Sequence, residues 1–212
     1  MSKRFTKRDL DIINFIEKHK AVNSSQLKKL FNLTNSTLSR RMKFIIENSN
    51  VKKYRYIPQM NWYDNKYKGL IPNENVYYWK RKPKNIMHTL LVNETYLYLK
   101  DRFNIIEYEL EYPIVYEDVV VRADIYFSFK YNDCEWDYLI EVENNKSWNY
   151  SKYLKLQEGN IILPKIIVLS DRRLYNKTNY EVIKGRLNLT DLEKKIKDDL
   201  IQQEFGYRIN KK

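Results

Sequence analysis

The stretch Ser24-Ser25-Gln26-Leu27-Lys28-Lys29-Leu30-Phe31-Asn32-Leu33-Thr34-Asn35-Ser36-Thr37-Leu38-Ser39-Arg40-Arg41-Met42-Lys43 decides how the first part of this chain folds. It contains two helical patterns joined by the tight connection Asn32-Leu33-Thr34. The first, residues 24–31, places Leu27, Leu30 and Phe31 on one face, and Asn23 with Gln26 forms a cap pair at its start. The second, residues 35–48, turns Leu38, Met42, Ile45 and Ile46 inward and leaves Ser36, Ser39, Arg40 and Lys43 outside. Upstream, residues 7–19 read as a further helix with Leu10, Ile13 and Ile16 on one face, opened by a Thr6/Asp9 capping box.

Two short helices, a tight turn and a third helix with a polar N-terminal face predict a helix-turn-helix. Strand-like stretches at 51–58 and 74–79 follow, and turn signals at Asp64-Asn65 and Lys68-Gly69 lie between them. A hairpin in that place is a wing. Tyr54, Tyr56, Trp62, Tyr63, Tyr67, Tyr77, Tyr78 and Trp79 gather in and around it. They read as the apolar layer of a small sheet in preference to a stacking platform for bases.

Charge follows the same division. Residues 1–85 hold 20 Lys and Arg against 6 Asp and Glu, a net of +14, while residues 86–212 sum to −2, giving the +12 of the whole chain. A local excess of this size is the footprint of a polyanion partner, and with the helix-turn-helix it points to double-stranded DNA. Asn35, Ser36, Thr37, Arg40 and Arg41 are the candidates for base edges. Lys43, Lys52, Lys53 and Arg55 are the candidates for phosphates.

Composition excludes several classes. With 4 Gly and 5 Pro, the chain has neither GxxxxGK[ST] nor GxGxxG. Its one cysteine, Cys134, rules out an internal disulfide, and His19 and His88 have no partners at zinc-ligand spacing. The N-terminus carries no apolar signal region and no apolar run approaches a membrane span. The expectation is a cytoplasmic protein without membrane contact.

Residues 86–212 read as a second domain. A helix at 87–103 is followed by strands at 105–112, 119–131 and 136–142, a helix at 147–156, a strand at 161–169, and helices at 179–187 and 192–205. That order predicts an α/β sandwich with a mixed sheet, so the whole chain is α+β. Asp124 lies in Arg122-Ala123-Asp124, and Glu141 and Glu143 share one face of their strand in Ile140-Glu141-Val142-Glu143. If the two strands are neighbours, three carboxylates converge. A divalent cation or a lysine would relieve their repulsion, and oxygen-only ligation by Asp124 and Glu141 suits Mg²⁺ or Mn²⁺. The same carboxylates can instead form ion pairs with Arg122 and nearby lysines. His88 reads as a capping or core histidine.

The strand order with Asp124 and Glu141-Val142-Glu143 resembles the PD-(D/E)xK restriction-endonuclease-like fold. More narrowly, the chain resembles the replication-relaxation family of plasmids and mobile elements in low-GC Gram-positive bacteria. The residues that carry this are the winged helix-turn-helix, His88-Thr89-Leu90-Leu91-Val92-Asn93-Glu94, Arg122-Ala123-Asp124, Ile140-Glu141-Val142-Glu143 and Lys152-Tyr153. Two positions depart from the superfamily pattern: Ala123 stands where a proline precedes the Asp, and Glu143 stands where active nucleases have a lysine. Lys146, Lys152 or Lys155 could replace that lysine from the next helix, and Glu94 could join the carboxylates.

The resemblance implies a DNA-binding accessory protein of a plasmid or mobile element. It would act in replication, conjugative processing or regulation, alongside a protein partner of a replication or relaxase complex, as a monomer or homodimer. Two alternatives stay open. One is a metal-dependent endonuclease similar to the endonuclease subunit of heteromeric transposases, with Asp124, Glu141, Glu143 and Lys155 as its catalytic set. The other is a winged-helix transcription regulator with a dimerisation domain.

Overall fold

The computed structural model describes residues 4–56, 71–72, 74–144 and 147–209. Two compact units divide the chain, Met1–Leu97 and Tyr98–Lys212. The turn signals at 64–65 and 68–69, the aromatics Trp62, Tyr63 and Tyr67, and Lys146 lie outside the described residues.

The first unit contains α1 (Lys7–Lys18), β1 (Ala21–Asn23), α2 (Ser24–Phe31), α3 (Asn35–Asn48), β2 (Val51–Arg55) and β3 (Asn75–Trp79). Each helix starts where its cap residue dictates. Thr6 and Asp9 form a reciprocal capping box, Asn23 and Gln26 form another, and the Thr34 hydroxyl accepts the Thr37 N–H. Asn32, in the left-handed region at φ 50°, ends α2 and turns the chain into α3. Ile12, Ile13, Ile16, Leu27, Leu38, Met42 and Ile45 pack into one core with Val22, Val51 and Tyr77. The buried stripe of α1 differs from expectation. Leu10 is 48% exposed, and Ile12 takes the inward place beside Ile13 and Ile16. Leu30 and Phe31 are half-buried, and Gln26 is the buried neighbour of Leu27.

β1 has no counterpart in the sequence reading. Three residues are too few to show a period-two pattern, and its last residue, Asn23, doubles as the α2 cap. It completes an antiparallel sheet of order β1-β3-β2, with Val22 opposite Tyr77 and Val51 opposite Trp79. Val22, Val51 and Tyr77 face the helical core. Ala21, Asn23 and Val76 point the other way and are nevertheless buried.

The helix α4 (Ile86–Lys100) explains that burial. The Asn93 side-chain amide donates to the Ala21 carbonyl at 2.6 Å, and Gln26 donates to the Leu90 carbonyl at 2.8 Å. With its nitrogen so committed, Asn93 offers its oxygen to His19 Nδ1 at 2.8 Å, which places the ring proton on Nδ1. His19 also stacks on Phe15, with ring centroids 3.8 Å apart. The charge break falls at 85/86, but the compact units divide at 97/98 because these bonds tie the first three turns of α4 to β1 and α2. His88 lies in the first turn of α4, and its backbone N–H donates to Asn85 Oδ1.

The second unit is built on β4 (Asn104–Tyr116), β5 (Val119–Tyr131), β6 (Cys134–Val142), α5 (Ser151–Glu158), β7 (Lys165–Leu169), β8 (Val182–Gly185) and α6 (Leu192–Ile209). The sheet order is β4-β5-β6-β7-β8, antiparallel up to β6 and parallel from β6 to β8. The class is therefore α+β with a mixed five-stranded sheet. Asn132 and Asp133, both at positive φ, make the two-residue turn between β5 and β6. The parallel step from β6 to β7 requires a crossover, and α5 supplies it. On one sheet face α5 packs Tyr153 and Leu156, with Trp148, over Leu139, Ile166 and Val168. On the other, the Tyr138 hydroxyl donates to Asp199 of α6 at 2.7 Å.

Residues 179–187, expected as a helix, instead contain β8. Val182 and Ile183 are β-branched, and the exposed edge of β7 offers them a ladder that a four-residue helix cannot match. Among the described residues no helix is long and apolar enough to cross a membrane.

Candidate functional site

The basic surface of the first unit comes from two elements. α3 sets Asn35, Ser36, Ser39, Arg40 and Lys43 in solvent while Leu38, Met42 and Ile45 anchor it from behind; Thr37 is half-buried. Its first turn carries no acidic residue. β2 exposes Lys52, Lys53 and Arg55. Strand periodicity puts Lys53 and Arg55 on the face of Val51, which is the face packed against α1, α2 and α3. Asn35 accepts from Lys28 Nζ at 3.0 Å.

Arg41 is placed differently from the other candidate base-contacting residues. Its Nε donates to Asp9 Oδ1 at 2.7 Å and its Nη2 donates to Asp9 Oδ2. Asp9 is fully buried and also accepts from the Thr6 backbone and hydroxyl, each at 2.7 Å. Burial works against the Asp9 charge, but the bonds from Arg41 and Thr6 outweigh it and hold the carboxyl below its ordinary value. The capping role of Asp9 was legible in the sequence. Its pairing with a residue 32 positions away was not.

The carboxylates of the second unit sit where β5 and β6 separate. The ladder between these strands runs from Tyr131 opposite Cys134 to Ile125 opposite Ile140. Beyond that point the Val142 N–H donates to the Asp124 carboxylate, at 2.7 Å, in place of a β5 carbonyl. Glu141, the residue between, is only 2% exposed. Its Oε1 accepts from the Tyr153 hydroxyl and lies 2.6 Å from Lys152 Nζ, which also donates to the Arg122 carbonyl at 2.8 Å. Burial is the largest influence on Glu141 and raises its pKa to about 7, with the nearby Asp124 charge adding to it and Lys152 and Tyr153 opposing it. Tyr153 is pushed well above its ordinary value by burial and by Glu141.

The sequence-derived set is thus only partly assembled. Asp124 and Glu141 come together. Glu143 lies just past the end of β6, half-buried, with its N–H donated to the Leu169 carbonyl at 2.9 Å. Lys155 is exposed on α5, and Lys152 is the lysine that reaches the carboxylate. Glu94 belongs to the first unit, where Gln26 Nε2 donates to it at 3.3 Å and Lys29 lies 3.9 Å away. Tyr153, whose role the residue pattern did not show, donates to Glu141 beside Lys152.

Among the described residues no group of three His, Cys, Asp or Glu side chains is placed to hold a metal ion. The donor set of Asp124 and Glu141 also fits a divalent cation poorly. An ammonium already stands against Glu141, and one Asp124 oxygen is taken by a backbone N–H. This arrangement can hold two strands and a helix together around one neutralised carboxylate. Comparison with protein-family models, curated proteins and solved structures finds no match to this chain.

Proposed function

We propose that the first unit is a winged helix-turn-helix that binds double-stranded DNA through α3 and β2. The second unit is then a PD-(D/E)xK-like scaffold used for organisation in place of cleavage. The chain would serve as an accessory factor in replication, conjugative processing or regulation of a plasmid or mobile element. The observation that carries this reading is the exposure of Asn35, Ser36, Arg40 and Lys43 on α3, which Leu38, Met42 and Ile45 anchor from behind, with Lys53 and Arg55 exposed on the Val51 face of β2 and Lys52 on its other face. Such a surface neutralises phosphates and offers a polar helix face to base edges. The engagement of Glu141 by Lys152 and Tyr153 supports a structural role for the carboxylates.

Titrating the full chain with a labelled random-sequence duplex at several salt concentrations tests the reading. Affinity should fall steeply as salt rises, by about 0.9 log unit per log unit of salt for each phosphate contacted. Absence of duplex binding near physiological ionic strength would overturn it. Incubation with supercoiled plasmid and Mn²⁺ tests the endonuclease alternative. Nicking by the parent that disappears in Asp124→Ala would establish the enzyme.

A further inference from the structure

We infer that Arg41 is a positioning residue for the DNA-reading face of α3, acting through its two-pronged bond to Asp9 and not through DNA. The inference rests on the DNA-binding reading above. A guanidinium that meets both oxygens of one carboxylate fixes angle as well as distance, because the planar fork admits a single orientation. Here the carboxylate is itself immobile. Asp9 is fully buried in the first turn of α1 and is held by the Thr6 N–H and hydroxyl as half of the capping box. The other end of the bond springs from the middle of α3, where the Arg41 guanidinium also lies 5.4 Å from the centroid of the Phe44 ring.

The apolar core sets how close α1 and α3 approach, since Ile12, Ile13 and Ile16 meet Leu38, Met42 and Ile45 there. That packing sets the rotation of α3 only collectively, through many weak contacts. The Arg41–Asp9 fork adds a single directional restraint to it. Rotation of α3 about its axis would sweep Asn35, Ser36, Arg40 and Lys43 across the groove together. The fork therefore controls site preference, which depends on ångström-level placement, more than overall affinity, which depends on charge count.

Two roles for Arg41 make opposite forecasts. If Arg41 leaves Asp9 to contact DNA, removing the Asp9 charge frees it and tightens binding. If Arg41 positions α3, removing that charge loosens the helix and lowers discrimination. The test uses the full chain, a duplex selected by the parent from a random library, and a scrambled duplex of equal length. Asp9→Asn and Arg41→Lys should each lower the ratio of selected to scrambled affinity about tenfold, the loss of roughly one well-placed base contact. The salt slope of Arg41→Ala should equal that of the parent, whereas Lys43→Ala should flatten it by about 1. Asp9→Asn selecting its site as well as or better than the parent overturns the inference, as does Arg41→Ala flattening the slope by about 1. If Arg41→Ala does not fold, Asp9→Asn and Arg41→Lys decide alone. A parent that binds no duplex overturns the DNA reading itself, a result distinguishable from a parent that selects a site while Asp9→Asn is neutral.

Discussion

Lys152 Nζ lies 2.6 Å from Oε1 of Glu141, a carboxylate buried to all but 2% of its surface. This one bond brings the start of α5 to the end of β6, at the point where β5 and β6 part. The Tyr153 hydroxyl, from the next residue of α5, donates to the same oxygen. Two successive helical residues thus serve one strand carboxylate, and the arrangement has measurable consequences.

At pH 8, where Glu141 is ionised, Lys152→Ala should destabilise the protein by about 2 kcal/mol, because it leaves a buried carboxylate without its cation. Lys155→Ala should change stability by less than about 0.5 kcal/mol, since that side chain is exposed. Urea denaturation of the two variants side by side checks the contrast. Equal effects would mean that Lys152 contributes no more than a surface residue.

The raised pKa of Glu141 has a definite sign in a stability profile. The folded state holds a proton up to about pH 7, whereas an ordinary glutamate in the unfolded chain releases it near 4.5. The stabilising contribution is complete below pH 4.5 and is lost as pH rises through 7. Relative to Glu141→Gln, which cannot ionise, the parent should lose stability across that window, by up to about 3 kcal/mol. Denaturation of both proteins at pH 5 and pH 8 measures the difference. A constant offset between the two would contradict the assignment.

Gly185 ends β8 against a fully buried residue of β7. A Cβ there would stand 2.7 Å from Leu169 Cδ2. Gly185→Ala should therefore cost about 1–3 kcal/mol, the typical price of overpacking a core. Adding Leu169→Val to the alanine variant should recover part of that loss, so the double mutant should be more stable than the two single effects summed. Thermal melts of the four proteins complete the cycle, and simple additivity would argue against the contact.

In the first unit, Lys52→Ala, Lys53→Ala and Arg55→Ala should each weaken binding to selected and scrambled duplexes alike and reduce the salt slope by about 1. Arg40→Ala should instead reduce discrimination between the two duplexes. Fluorescence anisotropy at three salt concentrations separates these outcomes. Selective loss from the lysine variants would reassign them from phosphates to bases.

Local features were legible with few errors. The starts of α1 and α2 follow from Thr6 with Asp9 and from Asn23 with Gln26, and both cap pairs form as their spacing requires. A cap bond joins residues within one turn, so it needs no knowledge of the rest of the chain. β5 was equally clear over Val119–Tyr131, because its length shows alternation many times over. β1 and β8 were not legible. They have three and four residues, and each exists because a neighbouring strand offers an edge.

The chain alone established a basic first part with capped helices and a polar helix face, a second part with a mixed sheet, and the carboxylates Asp124 and Glu141 on two strands whose adjacency it left open. These are properties of nearest neighbours, of periodicity and of counted charge. Only the tertiary structure decided that Arg41 answers Asp9, that Asn93 ties α4 to β1, and that Lys152 instead of Lys155 meets Glu141. Each of those pairings depends on the rotation of one element about its axis against another. Core packing sets that rotation collectively, and no short window of residues encodes it.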